Sequence, residues 1–464
     1  MSRRRHGPLP TDRRRDKRPR MNRCGDGYRK GMSASSARSY SSRNVVTGYV
    51  IINVLFTLAA SLIWAINTIF LIRDGHLGIF QVMIVNAVFT VGQMAFEVPT
   101  GVVADTIGRR ASVLLALVTL MISTLLYVAT PRYGLGIWGF IGASIILGLG
   151  FTFQTGSVDA WMVDALDATG WDKPKDRVFA WGQMASGGGM LTGSLLGGLL
   201  GQINLSLPYL VRAGLLAVAF VIVAIVVRDV GFTPRPLRIS TFGAEARKIM
   251  QAGARFGWRS PVIRPMLWVS GFTGIFLFYG FYAWQPYVLD LLGKNYVWLL
   301  GVVTAAFSLT GIMGNFLVKR VMREGLKRRE APRVLATAAG LEAAVALCIG
   351  LVGIIFVRSG LVPAIIAIVL WLVLGLITGV SGPVRSSYIN DYIPSAQRAT
   401  VLSLDAFFGD TGAAVGQPAL GWLSGRISIP VAWLVGSAFL WTAPFLYRNS
   451  GAAARRAAAQ PTEQ

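Results

Sequence analysis

Histidine and cysteine are almost absent from this chain of 464 residues, which has two of each. His6 and His76 both lie outside the apolar segments, so neither a histidine proton relay nor a metal centre is expected. Cys24 lies in a polar stretch and Cys348 in an apolar one, which excludes a disulfide framework and a thiolate metal site. The chain also lacks a Walker sequence, Gly-x4-Gly-Lys followed by Ser or Thr. We therefore predict no cofactor and no metal, and a protein that is not an enzyme.

Charged residues are scarce as well, since they make up 14% of the chain whereas 53% of residues are hydrophobic. A water-soluble globule of this composition would lack polar surface, so a lipid bilayer is the expected environment. One helical crossing takes roughly 20 apolar residues, and the length of the chain suits twelve crossings. We predict an all-α integral membrane protein with twelve transmembrane helices in two six-helix bundles.

Apolar segments that end at Gly, Pro or charge predict the spans. They lie at 47–72, 78–103, 111–130, 136–166, 177–203 and 207–227, and then at 264–290, 296–320, 333–357, 361–390, 399–425 and 428–447. The predicted domains are a disordered basic N-terminal tail (1–44), an N-terminal six-helix bundle (45–228), a cytoplasmic linker (229–263), a C-terminal six-helix bundle (264–447) and a C-terminal tail (448–464). An internal repeat supports the division, because GLGFTFQTGSVDAWMVD at 148–164 is loosely similar to GLITGVSGPVRSSYIND at 375–391.

The formal net charge of +24 lies chiefly in the tail and the loops. Basic residues precede the first span and fill the loops after even-numbered spans, such as the linker and the run KRVMREGLKRR at 319–329. The positive-inside rule then predicts a multi-pass protein of the plasma (inner) membrane with both termini in the cytoplasm. This placement explains the basic excess without a nucleic-acid partner. Two interpretations of the tail stay open, a translated extension without a role and a lipid-binding arm.

The segment GVVADTIGRR, from Gly101 to Arg110, stands at the predicted cytoplasmic end of the second span. Gly101 would permit a close helix approach and Gly108 a tight turn. Asp105 and Arg109 can form charge-assisted bonds that join helix ends. The alternative is an ordinary basic turn. This segment resembles the loop motif of the major facilitator superfamily, Gly-x-x-x-Asp-x-x-Gly-Arg-Arg/Lys, at every defining position.

Other stretches are similar to the drug:proton antiporter branches of that superfamily, namely FEVPTG, TGSVDAWMVD, YAWQPYVLDLLG and RATVLSL. The resemblance implies two bundles that rock about a central cavity open to one side of the membrane at a time. It also implies that Arg109 meets an acid at the cytoplasmic end of the fourth helix. Asp164 is the first candidate for that acid and Asp159 the second.

Carboxylates inside spans are functional candidates by default, because a charge at membrane depth is costly. Five stand out as candidates for proton coupling: Glu97, Asp159, Glu342, Asp405 and Asp410. Asp410 is the first choice, since it lies twelve residues after Arg398 and so about 18 Å into the eleventh span. Glu342 is comparably deep but is expected nearer the periphery. The other three lie nearer the cytoplasm and could instead form structural bonds with Arg385 or Arg109.

The seventh span, FTGIFLFYGFYAWQPYV, is unusually aromatic. Aromatic faces bind planar or cationic apolar ligands, although an aromatic belt at the membrane interface would have the same composition. The predicted substrate cavity is lined by Trp64, Gln154, Phe276, Tyr279, Tyr282, Trp284, Gln285 and Arg385.

Together these features predict a monomeric secondary transporter that exports small amphipathic compounds in exchange for protons. Its expected partners are the substrate, protons and the lipid bilayer. One alternative is a proton-coupled importer of a nutrient or metabolite with the same fold. A second alternative is a membrane sensor that transports nothing.

Overall fold

The computed structural model describes residues 40–233, 251, 255–321, 330–356 and 360–459. Within these ranges the chain forms helices and short connections, and it contains no strand. The predicted N-terminal tail up to residue 39, most of the linker, and the basic residues 322–329 lie outside the described residues.

The described residues 40–233 contain eight helices, which follow the first six predicted spans. They are α1 (Ser42–Trp64), α2 (Asn67–Arg73), α3 (Ile79–Ile107), α4 (Arg109–Arg132), α5 (Gly136–Gln154), α6 (Ser157–Ala168), α7 (Asp176–Ile203) and α8 (Leu207–Val226). Two predicted spans are each divided in two. Span one is interrupted at 65–66, and span four is interrupted at Gly156, whose left-handed φ of 74° suits glycine.

After a short helical segment at 255–259, the described residues from 263 onward contain seven α-helices. They are α9 (Ile263–Leu292), α10 (Val297–Val321), α11 (Ala331–Ile355), α12 (Leu361–Asp391), α13 (Arg398–Arg426), α14 (Ile429–Leu440) and α15 (Thr442–Ala459). A short 3-10 helix, Ser395–Gln397, precedes α13. The last predicted span is thus divided at Trp441, and it continues further than 447, into the region predicted as a tail.

Ten helical segments of the described chain are long and apolar enough to cross a membrane. The two predicted spans that do not meet this measure are the fifth and the eleventh, which correspond to α7 and α13. Both have the length of a span but carry many glycines and polar residues. Both also pack on two sides, since α7 contacts α1 and α10 while α13 contacts α9 and α3. Helices covered in this way by protein need less apolar surface than helices that face lipid.

Two ends of the molecule can be distinguished. The proximal end holds the start of α1 at Ser42, the end of α15 at Ala459, and the turn at Gly108. The distal end is the opposite one, where α2 ends at Arg73 and α9 ends at Leu292.

Three apolar cores show how the halves meet. One core includes Leu62, Phe70 and Tyr209 of the first half together with Phe276 and Trp433 of the second. The other two cores lie nearer the proximal end, and each is built from one half alone. The halves are therefore packed together at the distal end and have separate cores at the proximal end.

Hydrogen bonds between the halves follow the same distribution. Those recorded within the described residues join Gln285 to Trp64 and Thr68, Arg73 to Lys294, Gln202 to Trp298, and Gln417 to Thr90. All of them involve the distal parts or the middle of the helices. The helix pairs that carry the contact between halves are α3 with α13, α7 with α10, and α2 with α9.

Candidate functional site

The turn between α3 and α4 is built around Gly108. Its φ of 124° lies in the region that favours glycine, and the carboxylate of Asp229 occupies the space that a Cβ atom would need. Asp229 follows α8 and accepts a hydrogen bond from the backbone N–H of Arg110, at 2.9 Å. The Arg110 side chain in turn donates to the carbonyl oxygen of Ala224, at 2.6 Å. The start of α4 is thus tied to the end of α8.

Arg109 lies between two carboxylates at the proximal end. Its Nη1 is 2.8 Å from Asp105 Oδ1, and its Nε is 3.8 Å from Asp164 Oδ2. Asp164 is the acid that the resemblance placed first beside Arg109. The guanidinium also lies over the ring of Phe232, 5.8 Å from the centroid. The two carboxylates are 40% and 37% exposed, so each ion pair is partly screened by water.

Two other positions of this motif differ in their surroundings. Gly101 is exposed and has nothing within 4 Å of the place where its Cβ would be, so in this conformation it does not permit a close helix approach as predicted. Asp229 lies outside the motif and was missed by sequence reasoning. Burial raises the pKa of the Asp229 carboxyl above its ordinary value, while the hydrogen bond and the charge of Arg110 lower it. The only signal for Asp229 in the sequence is an acid directly after the sixth apolar segment.

Asp159 is bonded differently from the prediction. It accepts a hydrogen bond from the hydroxyl of Tyr49, at 2.7 Å, and pairs with neither Arg385 nor Arg109. The bond joins α6 to α1 within the first half. Asp159 is exposed and lies in the first turn of α6.

Asp405 and Arg385 form a bidentate ion pair in the second half. Arg385 Nη1 lies 2.8 Å from Asp405 Oδ2, and Nη2 lies 2.7 Å from Oδ1. The hydroxyl of Ser270 donates to the same Oδ1, at 2.7 Å. These bonds tie α12, α13 and α9 together at the proximal side. Parallel N–H···O bonds of this kind fix both groups in one geometry, and Arg385 is thereby held away from a free role in a cavity.

Glu342 was predicted to lie nearer the periphery, and the structure differs from this prediction. It is buried in α11 and accepts a hydrogen bond from the hydroxyl of Ser381 on α12, at 3.0 Å. The reason is that α11 packs against α12, α14 and α15, so one of its faces is covered by protein.

Asp410 and Glu97 face each other across the seam between the halves. Gln417 of α13 donates to Thr90 of α3 at 3.2 Å. Asp410 lies seven residues from Gln417 on α13, and Glu97 lies seven residues from Thr90 on α3, both toward the proximal end. The two carboxylates are close enough to interact electrostatically. Asp410 is half-buried, and no hydrogen bond or ion pair to it is recorded within the described residues. Of the five candidate carboxylates, Glu97 and Asp410 are the two brought together by the fold.

The aromatic residues of the seventh span are mostly core. The rings of Phe276 and Trp433 meet edge to face at 5.1 Å, and those of Trp284 and Trp371 stack at 5.8 Å. The hydroxyl of Tyr279 is bonded to that of Ser424. In this conformation Phe276, Tyr279, Trp284 and Gln285 are buried, which corrects the expectation that they line a cavity. Trp64, Gln154 and Tyr282 are half-buried.

Arg212 is a buried charge that sequence reasoning did not single out. It lies in α8, is 1% exposed, and has Tyr127 and Tyr209 as neighbours. No acid pairs with it in the part of the chain that the structure describes, and its Nε has no hydrogen-bond partner there. The signal was present, since an Arg interrupts the apolar run LPYLVRAGLL. Groups of His, Cys, Asp or Glu that could hold a metal ion are absent from the described residues.

Two helical halves that share a packed core at one end and have separate cores at the other are typical of multi-pass membrane transporters. The family model of the Major Facilitator Superfamily matches residues 49–366, and the chain belongs to this superfamily. Its members are transporters and not enzymes.

One curated relative is "Tetracycline resistance protein, class G" of Vibrio anguillarum, which is 28% identical over 160 residues. The match covers 34% of this chain and 38% of that protein, so it spans well under half of either.

Solved structures share the fold at low sequence identity. A variant of the nucleoside transporter NupG is 11% identical with a TM-score of 0.68, and the match covers 88% of this chain and 99% of that one. A POT family transporter in complex with 5-aminolevulinic acid is 13% identical with a TM-score of 0.68, covering 86% and 94%. A D-xylose-proton symporter is 14% identical with a TM-score of 0.64, covering 88% and 97%.

Proposed function

We propose that this protein is a secondary active transporter that exports small amphipathic compounds by proton antiport with alternating access. In this proposal the chain crosses the inner membrane twelve times, with α7 and α13 among the spans, and both termini are cytoplasmic. The proximal end then faces the cytoplasm, and the described conformation is the one that would receive a substrate from inside the cell.

The observation that carries the proposal is the state of Asp410. It stands near the middle of α13 at the seam between the halves, and no fixed partner is recorded for it among the described residues. Asp405, five residues earlier on the same helix, is held by two bonds from Arg385 and one from Ser270. A carboxyl without a fixed partner can take up and release a proton in each cycle, whereas a bidentate ion pair would first have to break.

One further point supports export over import, and a second concerns the source of energy. The relative from Vibrio anguillarum is named as a resistance protein, and its similarity, although partial, is to a protein of that kind. The lack of a Walker sequence leaves an ion gradient as the source of energy. One elementary charge that moves inward gains about 2.3 kcal/mol per 100 mV, which with a pH gradient can drive uphill extrusion.

The test is transport by the Asp410→Asn variant in proteoliposomes and everted vesicles, with a susceptibility panel of an overexpressing strain to identify the compound. Asparagine keeps the shape and hydrogen bonds of the side chain but cannot carry a proton. We expect proton-driven net transport to be lost and substrate counterflow, which needs no net coupling, to persist. Asp410→Glu is the matched control, because it keeps the carboxyl group and should retain coupled transport.

Three outcomes would contradict the proposal. If Asp410→Asn still concentrates substrate with the pH dependence of the parent, Asp410 is structural, and Glu97 or Glu342 becomes the better candidate. If proton-driven accumulation occurs in right-side-out but not in everted vesicles, the protein is an importer. If no compound in the panel gives a ligand-dependent flux, the sensor interpretation is favoured.

A further inference from the structure

Gln285 of α9 makes two hydrogen bonds to the backbone of the other half. Its Nε2 donates to the carbonyl oxygen of Trp64 at 2.8 Å, and its Oε1 accepts from the N–H of Thr68 at 3.1 Å. Both Gln285 and Thr68 are completely buried. These bonds are made at the interruption of span one, where α1 ends at Trp64 and α2 begins at Asn67.

Trp64 and Thr68 are four residues apart. In an unbroken α-helix the N–H of residue i bonds the carbonyl of residue i−4, so these two groups would bond to each other. The side-chain amide of Gln285 uses one of its two N–H donors and its carbonyl oxygen in these bonds, so it presents the same donor and acceptor as a peptide group. It therefore occupies the place of a single backbone hydrogen bond of span one, and each of the two separated groups keeps a partner.

We propose that Gln285 is a positioning residue of the transport cycle that holds the distal ends of the two halves together. When the halves part at the distal end, span one closes its own bond between Trp64 and Thr68, and the interruption disappears. This inference rests on the alternating-access part of the proposed function, and it does not depend on the substrate, the direction of transport or the coupled ion.

The exchange suits a reversible switch because buried peptide groups must have partners. A free N–H or carbonyl in an apolar environment is strongly unfavourable, so a contact made of hydrogen bonds to backbone groups would be hard to open without replacement partners. Here the replacement partners are the Trp64 carbonyl and the Thr68 N–H themselves, which can bond to each other within span one. Two arrangements of span one, each with its bonds satisfied, form a bistable element of the kind that conformational cycles require.

Gln417 provides a comparison within the same molecule. It also lies buried between the halves, and its Nε2 donates to the hydroxyl of Thr90 at 3.2 Å. Its Oε1 has no partner among the described residues. Gln417 therefore joins the halves through one bond between side chains and leaves the backbone of α3 intact. Loss of its amide should affect the distal contact much less than loss of the Gln285 amide.

The experiment measures the distance between the halves at the distal end. Spin labels are placed at Tyr133 and Ile427, which are 72% and 64% exposed, in a full-length chain that carries Cys24→Ser and Cys348→Ser. Distance distributions are recorded in lipid nanodiscs for the parent, for Gln285→Met and for the matched control Gln417→Met. Methionine keeps the length of the side chain without its hydrogen bonds.

We expect Gln285→Met to raise the ratio of distal-open to distal-closed molecules about tenfold, as the loss of two net hydrogen bonds implies, and Gln417→Met to raise it less than about threefold. Thr68→Pro should act in the opposite direction. The distal-closed form loses only the bond from the Thr68 N–H to Gln285 Oε1, since α2 tolerates proline in its first turn. An uninterrupted span one loses more, because proline removes the same N–H and its ring also clashes with the carbonyl of residue i−4, here Trp64. The distal-open fraction should then fall below that of the parent.

The inference is overturned if Gln285→Met leaves the distances unchanged, if Gln417→Met shifts them as strongly, or if Thr68→Pro opens the distal end. Should Gln285→Met fail to fold, Thr68→Pro still decides the matter through the direction of its shift. The readout is separate from the Asp410 experiment. Distances that respond as expected, together with proton coupling unaffected by Asp410→Asn, would sustain this inference and refute the coupling role of Asp410.

Discussion

Gly198 on α7 should tolerate no side chain when the distal end is closed. A Cβ atom built on it would lie 2.7 Å from the Cα of Gly301 and 2.7 Å from the carbonyl oxygen of Trp298, both on α10. Carbon atoms in contact stay about 3.5–4.0 Å apart, so α7 and α10 would have to separate by about 0.8 Å or more. Insertion of one methyl group into a packed contact of this kind costs about 1–3 kcal/mol.

The cost falls on one conformation because α7 and α10 belong to different halves. Gly198→Ala should therefore lower the ratio of distal-closed to distal-open molecules by a factor of about 5–150, as a change of about 1–3 kcal/mol implies. Gly188→Ala is the matched control, since Gly188 is on the same helix and has nothing within 4 Å of its Cβ position. Both changes raise helix propensity by roughly 0.5–1 kcal/mol, so their difference isolates the contact.

The assay is the distal distance between labels at Tyr133 and Ile427, recorded for both variants and the parent. Gly198→Ala should increase the distal-open fraction, and Gly188→Ala should leave it close to that of the parent. Equal shifts in the two variants would show that helix propensity, and not the contact with α10, controls the distance. An unchanged distance in Gly198→Ala would refute the reasoning, because the contact would then persist in both conformations.

Two further predictions concern the proximal end. Asp405→Leu should lower the free energy of unfolding by at most about 3–5 kcal/mol, because it leaves the charge of the half-buried Arg385 unpaired. The double variant Arg385→Met/Asp405→Leu should recover at least half of the loss, and losses that simply add in detergent unfolding would contradict this. Gly108→Ala should destabilise the turn beside Asp229 by about 1–3 kcal/mol, because alanine is strained at this positive φ. Gly101→Ala in the same motif should be nearly neutral, since its Cβ would meet nothing within 4 Å. Equal melting temperatures for the two variants would count against strain at Gly108.

Much of the fold could be predicted from the sequence because membrane spans are long and apolar. The predicted spans correspond to the helices with ends that differ by a few residues in most cases. The prediction of the superfamily, which depended on the motif around Asp105 and Arg109, is confirmed by the family model. Asp164 of α6 lies beside Arg109 of the motif, with its Oδ2 3.8 Å from the Arg109 Nε, as the resemblance implied.

The interruption of span one could not be predicted in the same way. Ala65 and Ile66 are apolar and carry no signal of a break, since neither glycine nor proline stands there. The break depends on Gln285, which lies in the other half of the chain, and a tertiary contact of this kind leaves no local pattern. For the same reason Gln285 was predicted as a cavity residue, because a polar side chain in an aromatic span suits either role.

The carboxylates show a second limit. Depth along a helix could be counted from the sequence for both Glu342 and Asp410, but the direction in which each side chain points depends on which helices pack around it. Glu342 is covered by α12, whereas Asp410 lies at the seam opposite Glu97. Periodicity could not separate these cases, because the spans are apolar on nearly every face.

The low hydropathy of α7 and α13 has a consequence for how the protein is made. A segment leaves the insertion machinery for lipid on its own more readily the more apolar it is, and these two helices are less apolar than the ten candidate spans. Each of them packs closely on a helix that is synthesised earlier, α7 on α1 and α13 on α9. Gly193 of α7 and Gly412 of α13 lie directly against the backbones of those earlier helices, and neither position has room for a Cβ atom. In the proposed twelve-span topology, both helices would enter the bilayer as partners of an already inserted helix, which would give the biogenesis of each half a fixed order.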